Sequence, residues 1–214
     1  MGQYFKAICL DKNFKIENGK VKTCGKKVIE RFCEPFEYNN FLKMMEHAYV
    51  GNLYVEAAIR MLYYCCQVNH VNAMPFVWCG DYAETSIKEN EDFTVYDQVR
   101  FLKEKAPKAT EAYRNFKTVD KPEVFPNFGK VKQNIVLVNY DKKEYVRIPS
   151  ERPMAYTIHP LPILCADGNG NGGGDYHGTY MKYVGRWAYN RIGIVMCDNI
   201  PEGFKELKVN FKRK

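Results

Sequence analysis

The sequence predicts a single α+β domain spanning residues 1–214. A β-sheet that is mostly antiparallel or mixed is expected to carry a principal helical hairpin, about residues 40–66, on one face. Short apolar runs recur along the chain, and five of them end at an aspartate. One long segment, about residues 40–66, places apolar side chains at the spacing of a helix. Strand–helix–strand units at regular spacing do not occur, which argues against a Rossmann or P-loop fold.

The predicted strands are the apolar runs that end at Asp11, Asp81, Asp141, Asp167 and Asp198. Aspartate at a strand end favours a turn because its carboxylate hydrogen-bonds the backbone two residues on. Residues 5–16 and 134–148 each predict a strand, an Asp-Lys turn and a second strand, as two copies of one hairpin or as two ordinary hairpins. Residues 163–166 are expected to form a strand, and residues 206–211 the last strand.

The helical hairpin is expected to begin at a cap on Asn39 or Asn40. Gly51 and Asn52 interrupt its apolar pattern, which predicts two helices or a kink. Residues 88–116 form a second helical region, interrupted at Pro107, and their alternating charges predict a solvent-facing cover.

The composition indicates a folded protein with a basic surface. The chain is 46% hydrophobic, and 32 basic against 25 acidic residues give a net charge of +7, which suits an anionic partner without identifying it. No apolar stretch of about 18 residues occurs, so no membrane partner is predicted. The eight cysteines include no CxxC pair and there is no recognisable signal peptide, which predicts reduced thiols in the cytoplasm.

The segment ADGNGNGGGDYHG, residues 166–178, carries the strongest chemical signal. It matches GxGxxG, but no clear helix follows, as a dinucleotide site needs. It matches a calcium loop at Asp167, Asn169, Asn171 and Asp175, but glycine stands where that loop needs a bidentate glutamate. Successive glycines can also turn several N–H groups into one concavity that binds phosphate-like anions, which we favour over a bound metal. A wide loop with a purely structural role is the third interpretation.

Six blocks of the chain resemble a family of uncharacterised bacterial and bacteriophage proteins. The blocks are MGQYFKAICLD, LKMMEH, VWCGDYAE, LVNYDKKEY, the glycine-rich segment and VGRWAYNRI. Family members begin Met-Gly-Gln-Tyr-Tyr and carry a GNG-x-GGGD loop and a VG-x-WA-x-(D/N)-R segment. The resemblance implies that these blocks contribute to one site, and a phage-like origin implies action on the host.

We therefore expect a small binding protein that sequesters a phosphorylated, nucleotide-derived signalling molecule of host defence, as a homo-oligomer, without a cofactor, in the host cytosol if it is phage-encoded. Glycine N–H groups would bind phosphate, Lys6 and Arg186 would supply charge, and aromatic rings would stack on a base. The expected ligand-binding residues are Gly170, Gly172, Gly173, Gly174, Asp175, Tyr176, His177, Arg186, Trp187, Tyr4, Lys6, Asp81 and Tyr82.

Two alternatives remain open. In the first, the protein is a metal-assisted hydrolase of a nucleotide-like substrate: Asp81, Asp167 and Asp175 would hold a divalent ion and His177 would move protons, so that the catalytic residues are His177, Asp175 and Asp81. In the second, the protein inhibits a host protein by direct contact, and the glycine-rich segment is only scaffold.

Overall fold

A computed structural model describes residues 4–17, 20–22, 28–33, 48–88, 91–105, 134–149, 157–168 and 181–210. These residues form the predicted α+β fold: an eight-stranded, mostly antiparallel mixed sheet with helices packed on it. None of the helices in this part of the chain has both the length and the apolar character needed to cross a membrane.

The strands are β1 (Phe5–Leu10), β2 (Lys15–Glu17), β3 (Lys20–Lys22), β4 (Ile29–Cys33), β5 (Met74–Gly80), β6 (Ser86–Lys88), β7 (Glu91–Thr94), β8 (Ile135–Asn139), β9 (Glu144–Arg147), β10 (Ala166–Asp167), β11 (Arg191–Met196) and β12 (Lys205–Glu206). The helices are α1 (Leu53–Val68), α2 (Val95–Lys105) and α3 (Pro160–Leu164). The main sheet has the order β12-β9-β8-β11-β5-β1-β4, with β10 also beside β5, while β2-β3 and β6-β7 form two small sheets.

Strands β1 and β5 are neighbours in the main sheet, and every residue of both is buried. Their side chains alternate between two cores, as the period of a strand requires. On one face Phe5, Ala7 and Trp78 pack with α1; on the other Ile8 and Val77 pack with α2. Helices therefore cover both faces of the sheet at β1 and β5.

One edge of β5 is shared by two strands. At its start Met74 and Pro75 pair with β11 in antiparallel register, and near its end Trp78 and Cys79 pair with β10 in parallel register. Between them the backbone of Phe76 exchanges hydrogen bonds with Tyr189 and Asn190. The sheet thus forks at β5. The glycine-rich segment begins directly after β10, and the chain is described up to Gly168 and again from Met181.

Helix α1 begins directly after Gly51 and Asn52, and Tyr49, expected on the helix, instead forms a β-bridge with Ile158. Gly51 has φ +87°, and the Asn52 side chain caps α1 by accepting a hydrogen bond from Tyr54 N at 2.9 Å. Residues 40–47, the first part of the predicted hairpin, lie outside the described residues. The second predicted helical region begins only at Val95, after β7, because Thr94 and Asp97 exchange hydrogen bonds as a helix cap.

The two predicted Asp-Lys hairpins have different outcomes. Residues 134–148 form the expected hairpin, with β8 antiparallel to β9. The prediction for residues 5–16 is wrong: Asp11 makes the local turn, but β1 pairs with β4 and β5, while β2 pairs with β3. The two segments are therefore not copies of one hairpin.

The prediction of a strand at residues 163–166 is also wrong. The chain forms α3 there, with Pro160 in its first turn and His159 as its cap, so only Ala166 and Asp167 remain for β10. Likewise, of the predicted last strand only Glu206 lies in β12. Asp198 does not form a hairpin turn either, because it lies in the short 3-10 helix Cys197–Asn199.

Candidate functional site

Five of the sequence-predicted site residues lie together at the end of the sheet where β5 and β10 finish. The register places Lys6 beside Cys79 and Asp167 on the other side of the same Cys79, so these three residues form one row across β1, β5 and β10. Asp81 and Tyr82 follow β5 directly, and Tyr4 precedes β1. We call this region the site end of the sheet.

Tyr4 and Asp81 join the start of β1 to the end of β5 through two hydrogen bonds. Tyr4 N donates to Asp81 Oδ1 at 3.0 Å, and Asp81 N donates to Tyr4 O at 2.9 Å. Partial burial raises the pKa of the Asp81 carboxyl, while the Tyr4 N–H and the charge of Lys6 act in the opposite direction. Asp81 thus has a structural role that its position in the sequence does not reveal.

Lys6 is a buried cation rather than a surface charge. Its side chain is on the α2 face of the sheet and the residue is only 8% exposed. The ammonium Nζ lies 3.8 Å from the centre of the Tyr96 ring, a cation–π contact. Its charge also favours the ionised form of the neighbouring Asp81, so Lys6 contributes positive potential to the site end from beneath the surface.

Tyr189, which the sequence did not single out, joins the site end by its hydroxyl. That hydroxyl donates a hydrogen bond to Oδ2 of Asp167. The ring is buried and stacks on Phe14 with ring centres 5.8 Å apart. Burial, with Cys79 and Asp167 nearby, raises the pKa of the Tyr189 phenol well above its usual value, so the hydroxyl stays a donor. The only sequence signal for Tyr189 was its membership of the VGRWAYNRI block.

An open cleft of about 470 Å³ lies where the chain leaves the end of β5, and its lining residues are Asp81, Tyr82, Ala83, Glu84, Ser86, Thr94 and Asp97. Tyr82 is 43% exposed and offers an aromatic surface. The Tyr189 hydroxyl also interacts with Thr85, between two lining residues. The carboxylates of the lining make the cleft acidic, which suits hydrogen-bond donors rather than phosphate.

Arg186 and Trp187 do not belong to the site end. Both bind Glu144: Arg186 donates through two nitrogens, and Trp187 Nε1 donates to Oε2 at 2.8 Å. Trp187 is fully buried in the core on the α1 face, opposite Lys6, so its ring has no surface on which a base could stack. Trp187 and Arg186 thus both bind Glu144, and the ligand-binding role expected for Arg186, whose side chain is 40% exposed, stays a prediction.

The glycine-rich segment itself lies outside the described residues. This holds for the following predicted residues: Asn169, Gly170, Asn171, Gly172, Gly173, Gly174, Asp175, Tyr176 and His177. The structure does fix where the chain enters the segment, at Asp167 and Gly168, and where it is described again, at Met181.

The other titratable groups of the described chain do not extend the site. Burial raises the pKa of the Cys79 thiol, which keeps it a neutral member of the row. His159 caps α3 and is buried, and His70 lies exposed in the turn after α1. Within the described ranges, no three His, Cys, Asp or Glu side chains are placed to share a metal ion.

The comparisons with known proteins identify no relative: no family model, no curated protein and no solved structure matches this chain.

Proposed function

We propose that this protein binds and sequesters a phosphorylated, nucleotide-derived ligand at the site end of the sheet. The observation that carries the proposal is the row formed by Lys6, Cys79 and Asp167. Because Gly168 follows Asp167 directly, the glycine-rich segment starts beside the predicted residues Lys6, Asp81 and Tyr82. Residues that are far apart in sequence thus converge where the segment begins.

The chemistry of the two sides of this row supports a ligand with two different ends. The N–H groups of Gly170 to Gly174 would donate hydrogen bonds to phosphate oxygens, favoured by the net charge of +7. The acidic cleft would accept the donor-rich nucleoside part, and the exposed ring of Tyr82 would stack on the base. A volume of about 470 Å³ lies within the usual range for small-molecule sites, roughly 300–1,000 Å³.

Binding without turnover is favoured by how the described polar groups are used. Asp81 is held by Tyr4 N, Asp97 by Thr94, and Asp167 by Tyr189. Each of these contacts fixes a carboxylate in place, as a rigid binding surface needs. We place this activity in the cytoplasm, where the seven cysteines of the described chain, all free, stay reduced.

Native mass spectrometry of the purified protein with nucleotides, cyclic nucleotides and divalent metals tests the proposal. We expect an intact phosphorylated ligand at one per protomer, and the same spectra report whether the protein is the homo-oligomer we propose. Metal-dependent turnover of the ligand would instead identify the hydrolase alternative. Absence of any small-molecule binding would leave inhibition of a host protein by direct contact.

The double variant Gly172→Val with Gly173→Val tests the role of the glycines. We expect it to lose the bound ligand and to keep the far-ultraviolet circular dichroism and melting temperature of the native protein. Undiminished ligand binding by the folded variant would contradict the anion-binding role.

A further inference from the structure

We infer that the cleft selects guanine among the bases: Glu84 accepts hydrogen bonds from N1–H and N2–H₂ of a guanine that stacks on Tyr82. This inference rests on the proposed function and names the base of its ligand. The base contacts only side chains that line the cleft, and all of them belong to the described part of the chain.

Two segments form the walls of the cleft. One wall is the chain from Asp81 to Ser86, which leaves the end of β5, and the other is the start of α2 at Thr94 and Asp97. Asp81 is joined to the start of β1 by its hydrogen bonds with Tyr4, and Thr94 is joined to Asp97. Both walls are therefore held in place without a ligand, as is usual for small-molecule sites.

Two of the three carboxylates that line the cleft already have partners. Oδ1 of Asp81 accepts a hydrogen bond from Tyr4 N at 3.0 Å, and Oδ2 of Asp97 accepts from Thr94 N at 2.9 Å. Glu84 is exposed and has no hydrogen bond or ion pair with the described residues. An ionised carboxylate only accepts hydrogen bonds, and its two oxygens accept two parallel donors at once. Glu84 is therefore the carboxylate that is available to a ligand with paired donors.

The donor pattern of the bases determines which base fits Glu84. Guanine presents two adjacent donors on its Watson–Crick edge, N1–H and N2–H₂, which match the two oxygens of a carboxylate. Adenine and cytosine place a ring-nitrogen acceptor beside their amino group, and uracil places a carbonyl oxygen on each side of its N–H. Those acceptors would face Glu84 and the negative charges of Asp81 and Asp97, which is unfavourable.

Tyr82 supplies the aromatic surface on which the base stacks. The residue is 43% exposed and lies two positions before Glu84 in the same wall of the cleft. Every base has a face that stacks on an aromatic ring, so Tyr82 adds affinity without choosing the base. The selectivity therefore comes from Glu84.

The test compares nucleotides that differ in the base. The probes are GMP, IMP, AMP, CMP and UMP, together with 3′,5′-cyclic GMP and 3′,5′-cyclic AMP, and isothermal titration calorimetry gives their dissociation constants. We expect each guanine nucleotide to bind at least about tenfold more tightly than its adenine counterpart, because the adenine form loses hydrogen bonds to a charged group. IMP lacks only the 2-amino group of GMP and should bind with an affinity between those of GMP and AMP.

The variant Glu84→Gln assigns the preference to this carboxylate. The amide replaces one acceptor by a donor that faces the donors of guanine, so the preference for GMP over AMP should fall below about threefold. Glu84 is exposed, so the variant should keep the native melting temperature. The matched control is Glu202→Gln, at an exposed glutamate in the turn before β12, which should keep the native preference.

Guanosine, which carries no phosphate, tests where the base binds. We expect its addition to shift the backbone amide signals of residues 81–86 and 94–97 in NMR spectra of the native protein. The shifts should be smaller in Glu84→Gln at the same guanosine concentration. Shifts confined to other residues would overturn the inference, because the base would then lie outside the cleft.

The outcomes separate the inference from the proposed function. Native protein that binds nucleotides without preferring guanine overturns the inference and leaves the proposed function intact. A preference for guanine that persists in Glu84→Gln does the same. If the native protein binds none of the nucleotides, the proposed function fails, and the inference fails with it.

Discussion

The indole Nε1 of Trp187 donates a hydrogen bond to Oε2 of Glu144 at 2.8 Å, although the two residues are 43 positions apart in the chain. Arg186 donates to both oxygens of the same carboxylate. Burial acts to raise the pKa of Glu144, but these hydrogen bonds outweigh it and hold the pKa below its usual value. The conspicuous Arg-Trp pair thus joins the end of the glycine-rich region to the β8–β9 hairpin.

Replacing Glu144 should destabilise the protein markedly. Glu144→Ala leaves the buried indole N–H without an acceptor, which costs about 1–3 kcal/mol. Urea unfolding followed by tryptophan fluorescence measures the loss. The control is Glu206→Ala. Glu206 pairs with Arg147 and its side chain is more exposed than that of Glu144, so its loss should leave the stability nearly unchanged. Equal effects of the two changes would contradict the role assigned to Glu144.

Gly185 and Gly203 form a matched pair for a second prediction. Both have positive φ, +72° and +79°, but a Cβ on Gly185 would lie 2.8 Å from Ala166 O, whereas a Cβ on Gly203 would meet nothing within 4 Å. Gly203→Ala should cost only the backbone strain, about 1 kcal/mol, and Gly185→Ala should cost distinctly more. Thermal unfolding of both variants checks the order, and the reverse order would exclude the close approach of Gly185 to β10.

His159 predicts a loss of stability in mild acid. Burial lowers its pKa from 6.5 to about 3, and Nδ1 accepts the hydrogen bond from Leu161 N that caps α3. Below pH 6.5 the unfolded chain binds a proton that the folded chain excludes, so folding free energy is lost as the pH falls from 6.5 towards 3, at up to about 1.4 kcal/mol per pH unit. The contribution of His159 is complete above pH 6.5.

The variant His159→Asn isolates that effect because asparagine can cap a helix without titrating. The difference between its unfolding free energy and that of the native protein should shrink or change sign between pH 7 and pH 4, as followed by urea titration. His70→Asn is the control, since His70 is exposed with φ +52°, which asparagine tolerates. Parallel pH curves for the native protein and His159→Asn would contradict the prediction.

Tyr82 should affect binding without affecting the fold. Its ring is 43% exposed in the cleft, so Tyr82→Ala removes little packing but removes the proposed stacking surface, worth about 1–3 kcal/mol per base. We expect nucleotide affinity to fall by about 5- to 150-fold in calorimetric titrations, with an unchanged melting temperature. Phe101→Ala, also at an exposed ring, on α2, should leave the affinity as it is. An unchanged affinity of Tyr82→Ala would exclude stacking.

Elements whose contacts are local were predictable from sequence. The β8–β9 hairpin follows from two apolar strands around a short turn. The helical spacing that predicts α1 is also local, but the cap was expected at Asn39 or Asn40, whereas Asn52 caps the helix. The strand β1 was recognised, but its partners were not, because the turn at Asp11 is local whereas pairing with β4 and β5 depends on distant segments. At α3, apolar character suggested a strand, and the prolines in the first helical turn decided otherwise.

For the site, the sequence identified residues that the fold brings together, but it did not show which side chains bind other parts of the protein instead. Lys6, Asp81, Tyr82 and Asp167 were named, and the register brings them together. Trp187 was assigned to the ligand because an Arg-Trp pair near glycines is also what a binding site contains; its acceptor, Glu144, is visible only in three dimensions. Tyr189 was missed because nothing in its spacing distinguishes a core tyrosine from one whose hydroxyl holds Asp167.

The fork at β5 has a consequence for how this protein can change over evolution. The hydrogen bonds of β5 with β10 and β11 are made by residues 165–167 and 189–192, outside residues 169–180. Substitutions within residues 169–180 therefore remove none of these hydrogen bonds of β5. The ligand specificity proposed for that segment can therefore diverge while the residues that pair with β5 are inherited unchanged.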